Sequence, residues 1–127
     1  MNKYFGRFDG HGDVAQSFEV STDFFPTDEQ ILFASYGGGA YEGDAYVLFQ
    51  RDGKLYSVTG GHCSCYGLEG QWDPEVTSLA FETERNQVDQ GPYSYHFLSE
   101  HDASAEQFQA VLDTYAAQLT QRQDDER

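Results

Sequence analysis

His62, Cys63 and Cys65 put an imidazole and two thiols within one short run, Gly60-Gly61-His62-Cys63-Ser64-Cys65-Tyr66-Gly67-Leu68-Glu69-Gly70-Gln71-Trp72. Imidazole and thiolate are the ligands zinc prefers, so His62, Cys63 and Cys65 form a candidate zinc site. Structural zinc sites normally draw on two separated ligand pairs. The second pair would have to come from His11, His96 or His101, brought close by the fold. Two simpler readings compete. The cysteines can pack as small apolar side chains, or one can serve as a nucleophile with a histidine as base. No further pattern in the chain adds to the nucleophile reading, so the expectation is a non-enzymatic protein without a cofactor, with zinc as the alternative. A disulfide between residues this close on a strand would be strained, which favours reduced thiols and a cytoplasmic setting.

Two other runs have the look of ligand loops. Asp9-Gly10-His11-Gly12-Asp13 offers carboxylates and glycines, but lacks the alternating ligands and terminal Glu of a calcium loop. A surface turn is the expectation there. Gly37-Gly38-Gly39-Ala40-Tyr41-Glu42-Gly43-Asp44 is glycine-rich yet carries no Lys and leads into a strand. A phosphate cradle needs a helix N-terminus or a positive partner, so nucleotide binding through this loop is rejected. Tyr36, Tyr41, Tyr66 and Trp72 cluster around these glycines. Aromatic rings beside carboxylates suit a surface that binds Arg- and Lys-rich proteins. Tyr46, Tyr56 and Trp72 are expected in the core instead.

Charge points the same way. The 127-residue chain holds 22 acidic and 7 basic side chains, a formal net charge of −15. No Lys or Arg falls between Phe8 and Gln50, while Asp9, Asp13, Glu19, Asp23, Asp28, Glu29, Glu42 and Asp44 do. A field this negative repels phosphate backbones and anionic membranes and attracts basic surfaces. The expected partner is therefore a basic protein, with neither nucleic acid nor membrane bound directly. The candidate contact residues are Asp9, Asp13, Tyr41, Glu42, Asp44 and Glu69. The plainer alternative is that the charge only keeps a small protein soluble.

The elements that must position these residues read as an α+β fold: a small, mostly antiparallel sheet, a short middle helix and an amphipathic C-terminal helix packed on it. Tyr4-Phe5 and Phe18-Glu19-Val20 read as short strands around a turn, with Ser21 to Asp28 as a connection in which Phe24 and Phe25 plug the core edge. Gln30 to Tyr36, Ala45 to Gln50 and Leu55 to Thr59 read as strands, the last two joined through Asp52-Gly53, a strong hairpin signal. Cys63 to Tyr66 suggests a further short strand. Asp73-Pro74-Glu75 looks like a helix start, with Val76, Leu79 and Ala80 on its apolar face. Asn86 to Gly91 reads as loop and Tyr93 to Phe97 as strand. Phe108, Val111, Leu112, Tyr115 and Leu119 then fall on one helical stripe, capped by Asp102 or Ser104. Residues 1–127 make one domain, with the polar tail from 121 to 127 frayed. There is no apolar run of bilayer length and no signal-peptide core.

The run from Leu32 to Phe49, the run Asp52-Gly53-Lys54-Leu55-Tyr56, and His62 to Trp72 followed by Pro74-Glu75 together resemble small acidic proteins encoded by tailed bacteriophages. The resemblance covers roughly the middle third of the chain. It implies a phage or prophage product acting in a bacterial cytoplasm, with no activity attached to any residue. Joined to the charge, it suggests an inhibitor or modulator of a nucleic-acid-binding host protein, for instance a DNA mimic in counter-defence. A phage structural or assembly component is the other reading.

Overall fold

The computed structural model describes residues 3–21, 23, 25–38, 42–63, 67–88 and 105–125. Its elements are β1 (Tyr4–Gly6), α1 (His11–Phe18), β2 (Ile31–Gly38), β3 (Glu42–Arg51), β4 (Lys54–Cys63), β5 (Glu75–Thr77), α2 (Leu79–Val88) and α3 (Ala105–Asp125). The strands form one five-stranded sheet in the order β1-β2-β3-β4-β5. Strand β1 lies parallel to β2 and all other pairings are antiparallel. This is the α+β arrangement expected from the sequence.

The β3–β4 hairpin is its spine, and its turn is local chemistry. Asp52 and Gly53 take φ of 55° and 78°, the pair of positive values a two-residue turn needs to match the strand twist. Pairing then runs from Arg51↔Lys54 to Glu42↔Cys63. Along β2 an extra residue at Leu32 shifts the register, since Ile31 faces Phe49 while Phe33 faces Leu48. The bulge lets Ile31 and Phe33 point to opposite faces.

Both faces of the sheet are covered. On one face Ala34, Tyr36, Ala45, Val47, Phe49 and Val58 meet Val14, Ala15 and Phe18 of α1, together with Phe25 and Leu68 from connections. On the other, Phe33, Tyr46, Leu48 and Leu55 meet Phe108, Val111, Leu112 and Tyr115 of α3. The α3 stripe read from the sequence is thus the buried stripe. Phe33 forms edge-on aromatic contacts with Tyr46 and Phe108 at 6.1 and 5.0 Å. Each such fully buried large side chain contributes about 1.5–3 kcal/mol of burial free energy. Among the described residues no helix is long and apolar enough to cross a membrane.

The local expectations that differ have physical causes. Asp9 to Asp13 is not a plain turn and Phe18 to Val20 is not a strand, because His11–Phe18 is a helix. Its glycines disfavour helix, but Val14, Ala15 and Phe18 share a face that the sheet buries, and packing outweighs propensity. The Asp13 carboxylate accepts the Asp9 N–H at 2.9 Å, which satisfies a backbone donor just ahead of the helix. Glu19 closes the helix in the left-handed region, where a glycine would usually announce the stop. The Val20 N–H donates to the Ala15 carbonyl at 3.0 Å and the Glu19 N–H to that of Gln16 at 3.1 Å.

Strand β4 runs on past Thr59 through residues 60–63. Residues 75–77 are strand β5, not the first turn of a helix, and α2 begins at Leu79. The cap is Ser78, whose hydroxyl accepts the Phe81 N–H at 3.0 Å. Helix α2 runs through Val88, into the stretch read as loop, and α3 runs through Gln121 to Asp125. The proposed strand at 93–97 and the caps at Asp102 and Ser104 lie outside the described residues.

Candidate functional site

The chemistry-bearing side chains gather where β2, β3 and β4 end beside the 67–72 loop. Gly43 stands opposite His62 in the register. A Cβ on Gly43 would overlap the Gly37 carbonyl oxygen and the His62 ring, so only glycine admits the imidazole here. His62, 8% exposed, turns toward the α1 face. Its Nδ1 is hydrogen-bonded to the Tyr36 hydroxyl at 2.6 Å. The Arg7 guanidinium lies 5.2 Å from the Tyr36 ring centroid, and the Arg7 N–H donates to the Tyr36 carbonyl at 2.8 Å. Burial pushes the Tyr36 phenol above its ordinary value; Arg7 opposes that push and the nearby charge of Glu69 adds to it.

The loop is held by one side chain. The Gln71 amide accepts the Gly61 N–H at 2.8 Å and donates to the carbonyls of Gly61 and Gly67, both at 2.7 Å. Gln71 therefore substitutes for a strand partner along an edge of β4 that β5 does not reach. The latch seats Leu68 in the core and sets Trp72 against Phe25, Phe18 and Phe49, with ring centroids 4.6, 5.1 and 5.7 Å away. It leaves Glu69 exposed. The Glu69 carboxylate accepts its own N–H and that of Gly67, which holds it below the ordinary carboxylate value and keeps it charged.

A second polar cluster lies on the opposite face. The carboxyl of Glu82, 0% exposed, accepts hydrogen bonds from the Tyr46 hydroxyl and, at 3.0 Å, from the Thr77 hydroxyl. It ties α2 to the centre of the sheet, since a buried carboxylate is tolerated only when hydrogen-bonded.

The structure sorts the candidate residues. Asp9 and Asp13 sit at the start of α1, Asp9 exposed and Asp13 half-buried. Asp44 alternates with Ala45 along β3 and so faces the α3 side, away from Asp9, Asp13 and Glu69. The backbone of Glu42 opens β3 opposite Cys63. Tyr41 and Cys65 lie outside the described residues, as do His96 and His101. Of the zinc candidates His62, Cys63 and Cys65, the structure places the first two. His62 and Cys63 are neighbours on a regular strand, so the pleat sends them to opposite faces. His11 is turned elsewhere, with Nε2 2.5 Å from the Pro26 carbonyl and its ring against Phe25. Among the described residues, no three His, Cys, Asp or Glu side chains converge in a way that could hold a metal ion.

Sequence reasoning passed over Arg7 and Gln71. Neither carries a local signal, because each acts on a residue brought near only by the sheet. Tyr36 was singled out as an aromatic near glycines, but its pairing with His62 depends on register alone. No protein-family model, curated protein or solved structure matches the chain.

Proposed function

We propose that this chain is a non-enzymatic binding protein that meets a basic, nucleic-acid-binding protein through exposed carboxylates, which stand in for backbone phosphates. The observation that carries the reading is how few cations offset those carboxylates. Among the described residues the one salt bridge joins Lys3 to Asp28 at 3.6 Å. Arg7 and Arg51 lie over the rings of Tyr36 and Phe49. Asp9, Glu19, Asp23, Glu69, Asp73 and Glu75 are all exposed. A surface left so negative favours association with a basic groove and speeds encounter. The resemblance suggested by the sequence of the middle third motivates a host target such as a defence or DNA-processing protein.

The test is affinity capture from a bacterial lysate at low and high salt, with duplex DNA as competitor. Recovery of a nucleic-acid-binding protein should collapse as salt rises, because exposed charges are screened over about 8 Å at physiological ionic strength. Reversing two charges together, Asp9→Lys with Glu69→Lys, should weaken that complex about tenfold, while Asp113→Lys on α3 should not. Capture that ignores both salt and DNA would end this account.

A further inference from the structure

The acidic loop does not stop at Glu69. It continues through Asp73 to Glu75, both exposed, and runs directly into β5, the edge of the sheet among the described residues. We propose that β5 is a docking edge that takes an extended, basic segment of the partner protein as an additional strand. The inference rests on the reading that the partner is basic, and adds where and in what conformation that partner is held.

Backbone geometry sets out the edge. Across the tight β3–β4 turn, Arg51 and Lys54 are the closing pair. Alternate residues of β4, beginning with Leu55 and Ser57, therefore turn their N–H and C=O away from β3. Those two residues are the partners of Thr77 and Glu75, with Tyr56 opposite Val76 between them. Val76 is thus the β5 residue whose N–H and C=O point outward, where an incoming strand would bond. Its side chain is 66% exposed, and Phe81 on α2 is 53% exposed. Between them lies a groove of about 400 Å³, lined by Ser57, Glu75, Val76, Thr77, Ser78 and Phe81. Exposed edges in sheets are usually guarded by shortness, proline or charge. Strand β5 is three residues long, follows Pro74 and carries the exposed Glu75, guards that bar an acidic strand more strongly than a basic one.

Charge selects the occupant. Asp73 and Glu75 sit at one end of the edge, and no cation lies among the described residues that line the groove. A second copy of this chain would bring a further formal charge of −15 to the contact, so self-pairing is disfavoured. A strand with a basic residue opposite Glu75 and an apolar one beside Val76 matches both the charge and the exposed valine.

The experiment uses fluorescence anisotropy with a labelled extended peptide of alternating Arg and Thr around a central Val, and a counterpart with Glu for Arg. The Arg peptide should bind the full-length protein and the Glu peptide should not. Val76→Pro removes the outward N–H without touching the pairing to β4, a place where edge strands tolerate proline. It should weaken binding about tenfold, with the thermal melt checking that the chain still folds. Glu75→Lys supplies an independent variant that leaves the backbone alone, and should weaken binding comparably. Equal binding of the two peptides, or unchanged binding by both variants, would overturn the proposal. So would self-association of the wild type that Val76→Pro abolishes, since the edge would then serve a second copy. If Asp9→Lys with Glu69→Lys impairs capture of the basic protein while Val76→Pro and Glu75→Lys do not, the docking edge is wrong and the broader reading survives. If no basic protein or peptide binds at all, both fall.

Discussion

Gln71→Ala is the sharpest probe of how the 67–72 loop is held. The substitution removes an acceptor for the Gly61 N–H and a donor shared by the Gly61 and Gly67 carbonyls. Each of the three bonds contributes about 0.5–1.5 kcal/mol net, so an upper figure of about 4.5 kcal/mol follows if all are lost without replacement. Gln71, Gly61 and Gly67 are only partly buried, so water recovers some of this, and about 2 kcal/mol is the expected loss. Urea unfolding should read it as a midpoint lowered by about 1 M, at a slope near 2 kcal/mol per M. The loop carries its own reporter, because Trp72 is the chain's single tryptophan and is packed among phenylalanine rings. Its emission should shift to the red before global unfolding. Gln71→Glu separates the two halves of the latch: the carboxylate still accepts from Gly61 but now faces two carbonyl oxygens, and should be no more stable than the alanine variant. A loss under about 0.5 kcal/mol with unchanged tryptophan emission would refute the claim that this amide substitutes for a strand partner.

Gly43→Ala should be the least tolerated small change, costing about 3 kcal/mol or preventing folding, because the new methyl overlaps the Gly37 carbonyl and the His62 ring; soluble yield and urea midpoint report it. Tyr46→Phe removes the hydroxyl donor to buried Glu82 and should cost about 2 kcal/mol, within the roughly 1–3 kcal/mol penalty for leaving a buried polar group without its partner. A double-mutant cycle with Glu82→Gln checks that the loss belongs to that pair. Alkaline pH should destabilise the chain: Tyr36 is raised above its ordinary value of 10.0, so its contribution is intact below pH 10 and is lost as pH rises toward the folded-state value, where the unfolded chain has already ionised. Tyr36→Phe should flatten that part of the stability profile, read by denaturant midpoints at a series of alkaline pH values.

What could be read in the sequence was whatever neighbouring residues decide. Asp52-Gly53 announced its own turn, and Phe108, Val111, Leu112, Tyr115 and Leu119 announced a helix stripe, because both signals are carried within a few residues. What failed depended on partners distant in the chain. The glycines of His11–Phe18 argued for a turn until the sheet offered Val14, Ala15 and Phe18 a surface to bury. Asp73-Pro74-Glu75 had good helix-start chemistry, yet β4 presented unpaired backbone at Leu55 and Ser57, and pairing there claimed residues 75–77 first.

The same distinction governs the site. His62 and Cys63 looked like a ligand pair because chemistry was read along the chain, where they touch. A strand separates what is adjacent and unites what is opposite. His62 therefore belongs with Tyr36, 26 residues away, and with the glycine that leaves room for its ring. Charge behaves differently, since a carboxylate excluded from the core stays on the surface whichever element carries it. The acidity of this chain was legible from composition for that reason, while its division between faces was not: the pleat sends Asp44 to the α3 side, and the loop held by Gln71 leaves Glu69 exposed. Net charge alone therefore fixes neither which carboxylates share a face nor what backbone lies beside them.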